Sequence, residues 1–140
     1  MRSVQKIGDV VASEHAEQCT LVNWLSRTYP DLLFFAIPNG GIRHITTAIK
    51  LQAEGVKPGV PDLFIPEWRL FIEMKRRKNG HVSQEQKDIM AELERVGYTC
   101  IVGHGWEDAR KKVLQFLEST GKMHLTDQRT ALTHCGDAGT

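Results

Sequence analysis

A chain of 140 residues is one domain's worth of protein, and with 41% apolar and 25% charged residues it has the composition of an ordinary globular domain with its own core. No apolar run is long enough for a membrane helix and the N-terminus lacks the apolar core of a signal peptide, so a cytoplasmic setting is expected. The formal charge of +1 points to no partner, but it is unevenly spread: residues 43–87 carry nine Lys/Arg against five Asp/Glu, an excess that suits either a polyanion site or a solvated face, while the rest carries nine against twelve.

Residues 1–12 lack a periodic pattern and read as a short arm. Ser13 offers a cap for a helix starting at Glu14, and Leu21, Val22, Trp24 and Leu25 give it an apolar stripe through about Arg27. Glu14 and Gln18 project from one side of this helix, with Glu17 close to the same side. Acids in a first turn commonly serve the helix dipole, so the pattern alone leaves their role open. After Pro30 and Asp31, the dense apolar run Leu32–Ile37 reads as a buried strand. Pro38, Asn39, Gly40 and Gly41 force a turn that leaves Arg43 and His44 exposed beside it. Residues 45–53 read as a second helix with a weak stripe of Ile45, Ala48, Ile49 and Ala53, from which Leu51 falls away; Gly55 stops it.

The segment GVKPG at Gly55–Gly59 is a bent loop that brings Lys57 close to the strand beginning at Leu63. In GVPDLFIPEWRLFIEMK, Gly59–Lys75, two apolar runs, Leu63–Ile65 and Leu70–Ile72, suit neighbouring antiparallel strands joined by a tight turn. Pro61 fits a strand entrance and argues against a helix. Asp62 stands at the start of the first strand and Glu73 at the end of the second, with ten residues between them, so a hairpin brings them together at its open end. Lys75 points to the same side of its strand as Glu73. An ordinary hairpin with polar ends in water has the same pattern. Two carboxylates and a lysine at one sheet edge also make a magnesium-dependent phosphodiester-cleaving centre.

Lys75–Lys78 leads into the turn Asn79-Gly80, and Ser83 with Gln86 forms a capping box for a helix whose buried side is Ile89, Met90, Leu93 and Val96, ended by Gly97. Tyr98–Val102 reads as a strand. His104 then lies in a loop between Gly103 and Gly105, and Trp106–Leu117 reads as a helix burying Ala109, Val113, Leu114 and Leu117. Periodicity ends beyond Gly121, dividing the chain into an arm at 1–12, a domain at 13–120 and a tail at 121–140 that is flexible or partner-bound. The order helix, strand, helix, strand, strand, helix, strand, helix gives an α/β fold, a mixed central sheet flanked by helices.

Cys19, Cys100 and Cys135 have no metal-ligand spacing and do not form a disulfide framework, which favours a reducing compartment; Cys100 reads as a buried free thiol. The six histidines are scattered and fail the test of a clustered zinc site, and His104 and Trp106 read as a loop histidine and a packing tryptophan. Asn39, Arg43, Lys57, Arg76, Arg77, Lys78 and His81 surround the acids and are candidates for phosphate contacts, which are mainly electrostatic.

At Pro61-Asp62, Glu73 and Lys75 the chain resembles the PD-(D/E)xK nuclease superfamily, and the resemblance sharpens over four ordered blocks: IPNGG-x-R at Ile37–Arg43, GVKPGVPDL at Gly55–Leu63, FIEMK at Phe71–Lys75 and G-x-x-S-x-E-Q at Gly80–Gln86. Together these look like a VRR-NUC domain covering roughly Glu14 through Leu117. The resemblance implies a restriction-endonuclease-like core, magnesium with manganese as substitute, and metal binding by Asp62, Glu73, the Met74 carbonyl and an acid of the first helix. For that acid it favours Glu14, through its E-x-x-x-Q relation to Gln18, with Glu17 as the alternative. It implies Lys75 as the catalytic lysine and places Gln86 near the active edge. Ile101-Val102-Gly103 stands near where the eponymous Val-Arg-Arg would be, so phosphate contacts from that arginine pair are absent. Stand-alone members resemble Holliday-junction resolvases, form homodimers and are common in phages, which implies a structure-selective endonuclease acting on branched DNA. A flap or duplex-end nuclease and a non-catalytic DNA-binding module are the alternatives.

Overall fold

The computed structural model describes residues 11–38 and 45–122. Helix α1 spans Glu14–Thr28, strand β1 Phe35–Ala36, helix α2 Ile45–Ala53, β2 Leu63–Ile65, β3 Leu70–Lys75, α3 Gln84–Arg95, β4 Thr99–His104 and α4 Trp106–Thr120; a 3-10 turn at Pro66–Trp68 joins β2 to β3. The strands form one sheet in the order β1-β2-β3-β4, with β1–β2 and β2–β3 antiparallel and β3–β4 parallel. Helix α3 is the crossover that parallel neighbours require. The result is an α/β fold with a mixed sheet and flanking helices, in the element order that the sequence leads one to expect.

Local chemistry sets the helix ends. The Ser13 hydroxyl accepts the Ala16 N–H at 3.1 Å and starts α1. In α3, Ser83 Oγ accepts the Gln86 N–H at 3.1 Å while Gln86 Oε1 accepts the Ser83 N–H at 2.9 Å, completing the capping box. Gly121, in the left-handed region at φ 70°, closes α4.

Strand alternation then divides the sheet. Leu63, Ile65, Leu70, Ile72 and Met74 point into the main core, where they meet Leu21 and Leu25 of α1 and Ala109, Val113 and Leu117 of α4. Helix α4 sits directly on β4: a Cβ on Gly103 would lie 2.4 Å from that of Ala109. On the opposite face Phe64 stacks on Phe71 at 4.3 Å, with Phe35 and Tyr98 edge-on to the pair. Arg69, at φ 50° in the tight turn, lays its guanidinium over Tyr98.

The structure corrects several expectations. Of the run Leu32–Ile37, only Phe35 and Ala36 pair as strand, and both are exposed, as is Leu33. The reason is position: β1 is the outer strand, β2 offers it three residues, and α1 and α4 pack over β3 and β4. Helix α2 has the expected bounds, yet Ile45 and Ile49 are 74% and 62% exposed, while Ala48 and Leu51 are half-buried. Val96 is likewise exposed at the end of α3, where Ile89, Met90 and Leu93 are half-buried. Cys100 is half-buried rather than buried, its thiol pushed up to about 11 chiefly by burial, and Cys19 is exposed. His104, expected in a loop, ends β4. Past α4, Lys122 Nζ donates to the Trp68 carbonyl at 3.2 Å. Most of the arm, the turn residues Asn39–His44 and the tail from Met123, with Cys135, lie outside the described residues. Among the described residues, no helix is long and apolar enough to cross a membrane.

Candidate active site

The β2–β3 register sets Leu63 opposite Ile72, so the residue before Leu63 comes level with the residue after Ile72: Asp62 meets Glu73. The first turn of α1 delivers a third acid. One carboxylate oxygen each of Glu14, Asp62 and Glu73 lies within 4.8 Å of the other two. Glu17 is outside this group.

Each acid of the hairpin is aimed by a donor. The Met74 N–H donates to Asp62 Oδ2 at 2.7 Å. Gln86 Nε2 donates to Glu73 Oε1 at 2.8 Å, and because Gln86 Oε1 already accepts the Ser83 N–H, its amide has one way to face. The helix cap and the acid are thus held by the same side chain. Lys75 Nζ lies 3.3 Å from Glu73 Oε1, and both residues are buried, Glu73 with 2% of its surface exposed.

Crowding three carboxylates in a half-buried corner raises their affinity for protons. Burial pushes Glu73 up to about 7, and the negative charges of Asp62 and Glu14 add to it against the opposing pull of Lys75. Asp62 is raised by burial, with the Met74 N–H and Lys75 opposing. Glu14 is raised by burial and by Asp62, with Lys75 and Arg76 opposing. A cation relieves this repulsion. The donors are hard carboxylate oxygens from three different elements, which fits magnesium or manganese rather than a soft metal.

The remaining sequence candidates divide. Lys57, Arg76, Lys78 and His81 are exposed, and Arg76 is close enough to influence Glu14. The loop carrying Lys57 is seated against the start of α3: a Cβ on Gly59 would lie 2.8 Å from the Glu85 carbonyl. Arg77 is engaged elsewhere. Its Nε donates to Glu17 Oε1 at 2.9 Å and its Nη2 lies 3.6 Å from Glu107, so this arginine of the basic run is ion-paired within the fold. Met74 meets the site through its N–H. Asn39 and Arg43 lie outside the described residues. Sequence reasoning missed the Glu17–Arg77 pair, because sixty positions separate its members and no local pattern links them. Trp106 packs against the core, and His104 pairs in register with Lys75, its Nδ1 3.4 Å from the Arg76 carbonyl.

Among solved structures, one described as a VRR_NUC domain protein superposes on 76% of this chain and 89% of its own, with a TM-score of 0.63 and 25% sequence identity. No protein-family model matches the chain, and no curated protein does. The architecture is therefore VRR-NUC-like, a restriction-endonuclease-like core.

Proposed function

We propose that this chain is a metal-dependent DNA endonuclease that cleaves branched DNA, four-way junctions foremost, and works as a homodimer. The observation that carries the reading is the meeting of Glu14, Asp62 and Glu73, with Lys75 against Glu73, on a VRR-NUC-like fold. The likeness to a VRR_NUC domain protein supports a nuclease-type domain that binds DNA. Junction preference and the homodimer extend that reading from the sequence blocks, and a cytoplasmic setting belongs to the same proposal.

Asp62, Glu73 and Glu14, with the Met74 carbonyl, would hold magnesium or manganese, which when bound would supply Lewis acidity and a more acidic water. Lys75 stabilises charge developing on the phosphate and positions the water, acting from a buried place beside Glu73 where its charge is little screened. Gln86 keeps Glu73 aimed by donating to Oε1, and the Met74 N–H does the same for Asp62. Arg76, Lys78, Lys57 and His81 hold the DNA backbone by charge, without reading sequence. Opposed cuts in a junction take two such centres. The solvent-facing Ile45 and Ile49 of α2 supply apolar surface for a second copy.

The test is cleavage of labelled junction, flap, duplex and single strand, matched in their ends, by wild type and Glu73→Ala in magnesium. Junction cleavage by wild type alone supports the proposal. Equal cleavage of flaps or duplex ends replaces it with a less selective nuclease. Junction binding without metal-stimulated cleavage replaces it with a DNA-binding module.

A further inference from the structure

Glu17 is a buried carboxylate, 2% exposed, that the proposed chemistry does not use. A charge so placed needs partners, and it finds one for each oxygen, from outside its own helix. Arg77 Nε, just past the end of β3, donates to Oε1 at 2.9 Å, and the Trp106 N–H, the first of α4, donates to Oε2 at 2.7 Å. Gly105, the residue before α4, makes no side-chain cap, so Glu17 caps that helix from across the fold with an anion at its positive end. The Arg77 stem lies flat on Gly105: a Cβ there, at φ 89°, would be 2.6 Å from Arg77 Cγ. Glu107 approaches Nη2 of the same guanidinium at 3.6 Å. These contacts tie α1 to β3 and to α4 at one point.

One turn earlier on α1 is Glu14. Among the described residues no hydrogen bond holds its carboxylate, and its place is set by the helix that carries it together with the charges of Lys75, Asp62 and Arg76. A rotation of α1 by about 20° would carry a group at the rim of the helix, about 5–6 Å from its axis, through about 2 Å. Magnesium tolerates little departure from short, octahedral bonds, so that shift removes a ligand.

We propose that Glu17, clamped by Arg77 and by the first turn of α4, is the positioning residue that holds Glu14 in the metal centre. The inference rests on the proposed metal-dependent nuclease. It also assigns Arg77 an internal role: the exposed arginine tunes the metal through Glu17 and Glu14, touching neither the ion nor the reacting phosphate.

The experiment is a calorimetric titration of Mn2+ into wild type, Glu17→Gln, Glu14→Gln and the double variant, with folding checked by circular dichroism. Partners that orient metal ligands change affinity by about 10–100-fold, so Glu17→Gln is expected to weaken Mn2+ binding at least tenfold. In the Glu14→Gln background it is expected to change nothing further, since its effect runs through Glu14. Arg77→Gln repeats the cycle from the exposed side of the pair and decides the matter if Glu17→Gln does not fold. A folded Glu17→Gln that binds Mn2+ like wild type overturns the inference, and so does an equal loss in both backgrounds, which marks general loosening of the fold. Wild type that binds no Mn2+ overturns the metal-centre reading itself, and this inference with it.

Discussion

Glu73 is placed where ionising it costs stability, and replacing it with glutamine measures that cost. Its pKa stands at about 7 in the folded protein against an ordinary 4.5, chiefly through burial. Between those values the folded state binds more protons than the unfolded chain, so stability falls as pH rises through this window. At 1.36 kcal/mol per pKa unit, the full loss is roughly 3 kcal/mol by pH 8 and below about 1 kcal/mol at pH 5. Glutamine keeps the shape and cannot ionise, while Lys75 retains Asp62 and Glu14 as neighbouring charges. In chelator, Glu73→Gln is therefore expected to exceed wild type by roughly 3 kcal/mol at pH 8, on the order of 10 °C in Tm, with the gap narrowing on acidification. Urea and thermal unfolding at pH 5, 6, 7 and 8 read this directly. Saturating magnesium should reverse the order, since wild type gains binding energy that the variant has lost. Equal stability at pH 8 in chelator, or a gap that does not narrow at pH 5, would refute the reasoning.

Other consequences are as specific. Neutralising Arg76 and Lys78 together should weaken DNA binding and reduce the slope of log K against log salt by about 2, measured by fluorescence anisotropy; Arg77→Gln should leave that slope alone, because its charge is spent on Glu17. Gly103→Ala puts a methyl group against Ala109 and should cost about 2 kcal/mol in urea unfolding, with β4 and α4 pushed apart. Gln86→Leu removes the side-chain half of the capping box, the bond to the Ser83 N–H, together with the bond to Glu73, and should lower stability by about 1–2 kcal/mol while weakening Mn2+ binding in calorimetry.

The parts of this fold legible in the sequence are those fixed by short-range chemistry. Ser13 and the Ser83/Gln86 pair mark two helix starts by capping alone, and the spacing from Asp62 to Glu73 fixes a hairpin whose register follows from its apolar arms. Periodicity is weaker where burial depends on what lies across the fold. The run Leu32–Ile37 is apolar enough for a core strand, and only the sheet order puts it at an edge. Helix α2 has a readable span and an unreadable rotation, since nothing local says which side of Ile45, Ala48, Ile49 and Leu51 meets the protein. The same limit applies at the site. Glu14 and Glu17 are nearly equivalent by helix phase, and they part company through Arg77 and the N-terminus of α4, both distant in the chain.

The measurement that bears most directly on the account is cleavage of a labelled four-way junction by wild type and Asp62→Asn, first in chelator and then across a magnesium titration. Wild type should be silent in chelator and gain activity that saturates with magnesium, while the folded variant stays silent throughout. Cleavage that survives the chelator, or a magnesium response in Asp62→Asn equal to that of wild type, would contradict a centre built on these carboxylates.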